Sequence, residues 1–196
     1  ERISLAGIAR SLQVSSTWLQ GFVNHFLAQV PCYFKDSETS GEGIILECDE
    51  LWSFVCNKEN QAWCWIALDR KTRRIVGLYI GDRSRNSAQR LWDSLPASYR
   101  DCQFCYTDFW EAYVQVIPDE VHQPSSKKSG QTSHIERLNN TLRQRCSRLV
   151  RKTLSFSKDW LNHENIKTTA HLSGSIIDAW LRCYRYVSAS IQSDGN

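Results

Sequence analysis

Three carboxylates in this chain stand where chemistry, rather than solubility, accounts for them best. Asp49 falls in Leu46-Glu47-Cys48-Asp49-Glu50-Leu51-Trp52, an acidic cluster inside a strand otherwise bound for a core. Burying such charge costs desolvation free energy unless something offsets it, and a divalent cation is a natural candidate. Asp108 closes a second strand pattern, in Tyr106-Thr107-Asp108-Phe109-Trp110. Glu136 is the single acid between Lys127 and Lys152, a stretch with eight basic residues and a net charge of +7. Adjacent strands can bring Asp49 and Asp108 to shared metal ions, and carboxylates are the hard oxygen ligands such ions take. On its helix Glu136 shares a flank with Asn140 and Arg143, which suits a site holding a metal and a phosphate together. The plainer reading is that acids at strand ends cap turns or pair with arginine. Asp69 and Asp82 are assigned to that role, and Glu136 in an ordinary helix ion pair is the alternative to its role as a ligand.

The elements that must position these groups can be read from periodicity. Strands are expected at residues 44–55, 62–69 and 74–82, joined by short turns at 58–60 and 70–73, as in an antiparallel meander. A helix over 86–95, stopped by Pro96, leads to a fourth strand at 103–107 and a helix at 109–116. Such a crossover lets the fourth strand lie parallel to the first. The expected fold is α/β: a mixed sheet of order 3-2-1-4, with a possible fifth strand, flanked by helices. Residues 123–131 read as a mobile basic loop and 132–149 as the longest helix, with Ile135, Leu138, Leu142, Cys146 and Leu149 as its buried stripe. Residues 2–29 read as two short helices. The string Gly7-Ile8-Ala9-Arg10-Ser11-Leu12-Gln13-Val14-Ser15 has the look of a helix-turn-helix.

Composition narrows the class. With 196 residues, 41% hydrophobic and 23% charged, the chain can bury a substantial core and is not a disordered polymer. No apolar run reaches the roughly 18–20 residues of a membrane span. Eight cysteines are too few for a disulfide scaffold and read as reduced, intracellular thiols. Cys102-x-x-Cys105 lacks the second pair a structural zinc requires, and Cys48, Cys56 and Cys64 read as packed core thiols. The whole chain has a net charge of +3, so outside the basic stretch the body is mildly acidic. That asymmetry points to a polyanion-binding face. A chain that starts at Glu1 and contains no methionine reads as a fragment.

Several motifs, in order, resemble the transposases of the insertion sequence one family. They are Asp49-Glu50-Leu51-Trp52-Ser53-Phe54-Val55, Trp63-x-Trp65-Ile66-Ala67-Leu68-Asp69-Arg70, Thr107-Asp108-Phe109-Trp110-x-Ala112-Tyr113 and Ser129 through Asn140. Leu142-Arg143-Gln144-Arg145 and Thr153 through Lys158 follow the same pattern, so the resemblance covers about residues 2–158. It implies a ribonuclease-H-like domain whose catalytic and metal-binding triad is Asp49, Asp108 and Glu136. Two Mg2+ or Mn2+ ions are then expected, with Asp49 bridging both and Asp108 and Glu136 holding one each. Arg143 stands where related transposases keep a basic residue facing the site. Lys127, Lys128, Arg137, Asn140, Arg143, Arg145, Arg148 and Arg151 are the expected DNA-binding residues.

The implied activity is metal-dependent cleavage and strand transfer at insertion-sequence ends. The partners are double-stranded DNA, both terminal inverted repeats and target, and further copies of the chain, at least a dimer on DNA. No membrane is involved, and the expected location is the cytoplasm, at the nucleoid. The expected organisation is a helix-turn-helix at 1–30, a linker at 31–43, a catalytic domain at 44–158 and a divergent tail at 159–196. The family's cysteine-paired zinc-binding start is missing and the tail departs from its ending. The alternative is therefore a truncated or frame-disrupted, non-catalytic DNA-binding derivative that acts as a repressor.

Overall fold

A computed structural model describes residues 5–28, 43–146, Leu149, Ser157, Lys158, Trp160, His163 and Glu164; for 26–28 and Arg145 it describes the backbone alone. Five strands form one sheet: β1 Ile45–Val55, β2 Asn57–Asp69, β3 Ile75–Gly81, β4 Phe104–Thr107 and β5 His122–Pro124. Their order is β3-β2-β1-β4-β5. The first three are antiparallel neighbours, whereas β4 runs parallel to β1 and β5 parallel to β4. This is the expected mixed sheet, with its fifth strand present. That strand lies in the stretch read as a loop, as does a 3₁₀ turn at Lys127–Ser129.

Six α-helices accompany the sheet: α1 Leu5–Leu12, α2 Ser16–Ala28, α3 Arg85–Asp93, α4 Ala97–Arg100, α5 Glu111–Val114 and α6 Ser133–Arg145. Alternation along β1 divides two cores. Ile44, Leu46 and Cys48 face one side, with Trp65, Ala88, Leu91, Leu95 and Tyr113. Leu51 and Val55 face the other, with Ile66, Leu68, Ile135, Leu142 and Leu149. The expected stripe of α6 is thus the covering of the second face, with Leu138 and Cys146 packed at its margin. Gly77 is required where α3 ends against β3: a Cβ there would lie 2.6 Å from Leu95 Cδ2. Asp82 starts α3 by accepting from the Ser84 and Ser87 hydroxyls, and these bonds hold its carboxyl below the usual range. Asp69 closes the next turn by accepting from Lys71 N and Thr72 Oγ1. Both carboxylates do the turn-capping assigned to them.

Three boundaries differ from the expectations. The hairpin between β1 and β2 turns at Cys56, in left-handed backbone (φ 62), so residues 58–60 are strand rather than turn. Cys56 is exposed, not a core thiol. Its strained conformation is held from outside the hairpin, by Cys56 N donating to Ser157 O and Cys56 Sγ donating to Lys158 O. Helix α6 stops at Arg145 because Cys146 turns extended, and α5 is a single turn. At the N-terminus α1 and α2 share a small core of Ile8, Ala9 and Leu19, and Ser15 Oγ accepts from Trp18 N to start α2. Apart from the residues named above, the tail beyond Lys158 lies outside the described residues.

Candidate metal centre

The sheet register brings the first two carboxylates together. The parallel pairing of β1 and β4 aligns Leu46 with Cys105 and Glu47 with Tyr106. On the same stride come Asp49, two residues further along β1, and Asp108, the residue that follows β4. The carboxylate oxygens of Asp49, Glu50 and Asp108 lie within 4.8 Å of one another. This is the only such group of three His, Cys, Asp or Glu among the described residues. Burial pushes the Asp49 carboxyl up to about 6, with a further push from the charge of Asp108. Glu50 is likewise pushed to about 6, first by burial and then by Asp108 and Asp49. Burial and mutual repulsion thus outweigh the nearby cations Arg83 and Lys127, and a divalent cation would relieve both.

Glu50 was not foreseen here, because it projects to the opposite face of β1 from Asp49. Its Oε1 accepts from Arg83 Nε at 2.9 Å and Nη2 at 2.6 Å, and its Oε2 accepts from the Tyr113 hydroxyl at 3.1 Å. Arg83 is itself stacked between Trp63 and Trp110, 4.6 and 4.0 Å from their ring centroids. Glu50 thus has neutralising partners that Asp49 and Asp108 lack in the hydrogen bonds described. Tyr113 is buried with its hydroxyl committed to Glu50 and its pKa pushed well up by burial, which makes it no nucleophile.

Helix α6 is laid along the centre by a residue outside it. Glu47 is wholly buried, and its Oε2 accepts the backbone N–H groups of His134 and Ile135, each at 3.0 Å. Those are the second and third residues of the helix, whose orphan donors a side-chain cap satisfies. Thr132, the residue in the capping position, makes no such bond. Glu47 Oε1 meets Arg70 Nε at 2.8 Å and His134 Nδ1 at 2.6 Å. Arg70 continues to the side chain and carbonyl of Gln131 and lies over the Tyr106 ring. The acids of β1 are therefore compensated unequally: Glu47 by a helix start and Arg70, Glu50 by Arg83, and Asp49 by none of these. His134 is accounted for as a partner of Glu47.

One helical turn on, Asn139 Nδ2 donates to Asp49 Oδ2 at 2.8 Å, while Asp49 Oδ1 accepts from Glu50 N. Asn139 Oδ1 is buried with no hydrogen-bond partner. An unpartnered acceptor beside two carboxylates suits the water shell of a hydrated cation, so the donor set fits a divalent ion. Asn139 was missed in favour of Asn140, which is exposed. The signal was present: at about 100° per residue Asn139 falls some 40° from Ile135 and Asn140 some 140°.

Glu136 stands on α6 between Ile135 and Asn139 but outside the cluster of three, its Oε1 accepting from Thr132 Oγ1 at 2.9 Å. Lys127, Lys128 and Arg137 are exposed, with Lys127 close enough to act on the Asp49 carboxylate. Arg143 is half-buried and donates from Nη1 to Leu149 O, which ties the chain after α6 back onto the helix. The side chains of Arg145, Arg148 and Arg151 lie outside the described residues. Cys102 and Cys105 are buried, with Cys105 Sγ 3.6 Å from Cys48 Sγ, so the Cys-x-x-Cys is a packed thiol cluster.

The family model for IS1 transposase matches residues 43–173, and so runs past Lys158, where the sequence resemblance was expected to stop. The chain is 34% identical over 123 residues to the insertion element iso-IS1n protein InsB of Shigella dysenteriae, covering 63% of this chain and 90% of the relative. It is 35% identical over 123 residues to the insertion element IS1 protein InsB of Shigella flexneri, with the same coverage. It is also 35% identical over 123 residues to the insertion element IS1 2 protein InsB of Escherichia coli strain K12, covering 71% of that protein. With a family match over residues 43–173 and relatives at 34–35% identity covered over 71–90% of their length, the chain belongs to the IS1 transposase family.

Proposed function

We propose that the chain is a DNA transposase that cleaves phosphodiesters at insertion-sequence ends and transfers the freed strand to target DNA. The observation that carries this reading is the pair Asp49 and Asp108, set side by side by β1 and the end of its parallel neighbour β4, with close-set oxygens and no ion pair among the described residues. Asp49, Asp108 and Glu136 hold two Mg2+ or Mn2+ ions. When bound, such ions activate the attacking oxygen and stabilise the leaving one. Asn139 fixes the orientation of Asp49, and the Glu47 cap fixes the path of the helix that carries both Asn139 and Glu136. Glu136 joins the site by giving up its hydrogen bond from Thr132. Lys127, Lys128, Arg137 and Asn140 provide an exposed basic and polar surface for phosphates, continued by Arg143, Arg145, Arg148 and Arg151.

The helix pair at the N-terminus reads the element's inverted repeats, and the region from β1 through α6 is the catalytic domain. Two ends must be joined, so the working form on DNA is at least a dimer. No helix among the described residues is long and apolar enough to cross a membrane. The site of action is the nucleoid, in the cytoplasm. A second reading, a non-catalytic derivative that occupies element ends and represses, is favoured by the engagement of Glu136 with Thr132 away from the cluster. A supercoiled-plasmid cleavage assay with Mg2+ or Mn2+, run beside a gel shift on the same preparations, separates the two. The transposase reading expects cleavage by the parent, and its loss in Asp49→Asn, Asp108→Asn and Glu136→Gln with end binding retained. A parent that binds ends but never cleaves supports the repressor.

A further inference from the structure

The residue after Asp108 has no role in the reading above. Phe109 is 68% exposed, the most exposed large apolar side chain among the described residues. Its position is fixed from both sides. Trp110 N donates to Asp108 Oδ1 at 3.0 Å, which closes a tight turn with Phe109 at the apex. The Trp110 ring is held beneath the Arg83 guanidinium at 4.0 Å. No described residue covers this ring, so its exposure carries an uncompensated hydrophobic cost among the described residues. A cleft of about 390 Å3 opens beside it, lined by Asp108, Phe109, Trp110, Ser125, Ser126 and Lys127. Trp110 leaves its Nε1–H without an acceptor.

The lining combines an aromatic face, two hydroxyl residues, a cation and one carboxylate of the metal centre. Those are the groups that a single nucleotide presents partners for: a base face, a sugar edge and a phosphate. The volume is at the small end of ligand pockets, a size that suits one residue of a strand. Building on the transposase reading, we propose that this cleft receives one unstacked nucleotide of the DNA end. Its base lies on Phe109 and its phosphate meets Lys127, next to the phosphodiester served by Asp49 and Asp108. Phe109 replaces the stacking the base loses on leaving the duplex. Every base has such a face, so the cleft selects for a distorted end rather than for a sequence.

The test uses the full chain and duplexes carrying the inverted repeat that flanks the gene, with 2-aminopurine placed in turn at each nucleotide around the repeat's end. Ca2+ replaces Mg2+ so that the DNA stays intact. The parent should bind and give a rise in emission at one position. Phe109→Ala, which removes an exposed ring and should melt like the parent, should lose that rise and bind about tenfold more weakly. Phe109→Trp, which stacks the base but quenches its emission, should restore binding. If the parent binds and cleaves the repeat yet emission stays flat at every position, or Phe109→Ala keeps the rise, the cleft proposal is overturned and the transposase reading stands. If the parent fails to bind the repeat at all, the transposase reading falls and takes this proposal with it.

Discussion

Replacing Glu47 with Gln tests whether the buried acid of β1 is a helix cap or a metal ligand. Gln keeps the shape and one acceptor oxygen, but removes the charge shared by Arg70, His134 and the first turn of α6. Losing one partner of a buried ion pair costs about 3–5 kcal/mol. Arg70 is 21% exposed and keeps its bonds to Gln131, which places its share at the lower end. The weakened cap costs about 1 kcal/mol more, so a loss of about 3–4 kcal/mol is expected. In a chain of this size each kcal/mol shifts Tm by about 2–4 °C, giving a fall of about 6–16 °C in thermal unfolding followed by circular dichroism. Stabilisation by Mg2+ should persist, because Asp49 and Asp108 are untouched. Cleavage should drop as α6 loosens over the centre. A Glu47→Gln protein with the parent's Tm would refute the capping argument. An unchanged Tm together with a lost Mg2+ response would make Glu47 a ligand.

Three further outcomes follow from the same geometry. The Asp49 and Glu50 carboxyls, pushed to about 6, hold protons more tightly in the folded state than in the unfolded chain. Stability should therefore fall as pH rises from about 4 to 6 and level off above that, and Mg2+ should raise Tm near about pH 7.5 but not near about pH 4.5. Asp49→Asn removes a charge whose burial outweighs its hydrogen bonds, so without metal at neutral pH it should stabilise the fold by about 1–2 kcal/mol while abolishing cleavage; a less stable variant would contradict the desolvation argument. Replacing the exposed Lys128 and Arg137 with Ala should flatten the log–log salt slope of DNA binding by about 1–2 units, and an unchanged slope would take them off the DNA.

Much of the sheet was legible because its signals are local. Alternation gave the three meander strands, and the stop at Pro96 implied a crossover that makes β4 parallel to β1. From that topology alone Asp49 and Asp108 could be set side by side. The misses come from contacts that sequence spacing does not encode. Glu47 and Asp49 look alike on paper, two acids in an apolar run, and only the approach of α6 and Arg70 gives them different tasks. Glu50 points to the other face of its strand, yet its long side chain still reaches within 4.8 Å of its neighbours, a reach that position in the strand does not show. The turn at Cys56 has no glycine at its left-handed position; the adjacent Asn57, whose Oδ1 accepts from Glu59 N and Asn60 N, was the available signal, and the Cys56 backbone is held by Ser157 and Lys158, a hundred residues away in the chain. Short β5 has too few residues for any period to show.

The central place of β1 has a consequence for how the protein is made. On the ribosome β1, β2 and β3 emerge first and can pair at once as a meander. The other edge of β1 stays bare until β4, starting at Phe104, leaves the exit tunnel. At about 5–20 residues per second the interval between the end of β1 and β4 lasts several seconds. During that time a long strand with free N–H and C=O groups is open to pairing with another nascent chain. The acidic pair does not exist until β4 docks, since Asp108 arrives with that strand. Any translation product that ends before β4 can form the meander but cannot assemble a metal centre, and co-translational misassembly would leave it missing in the same way.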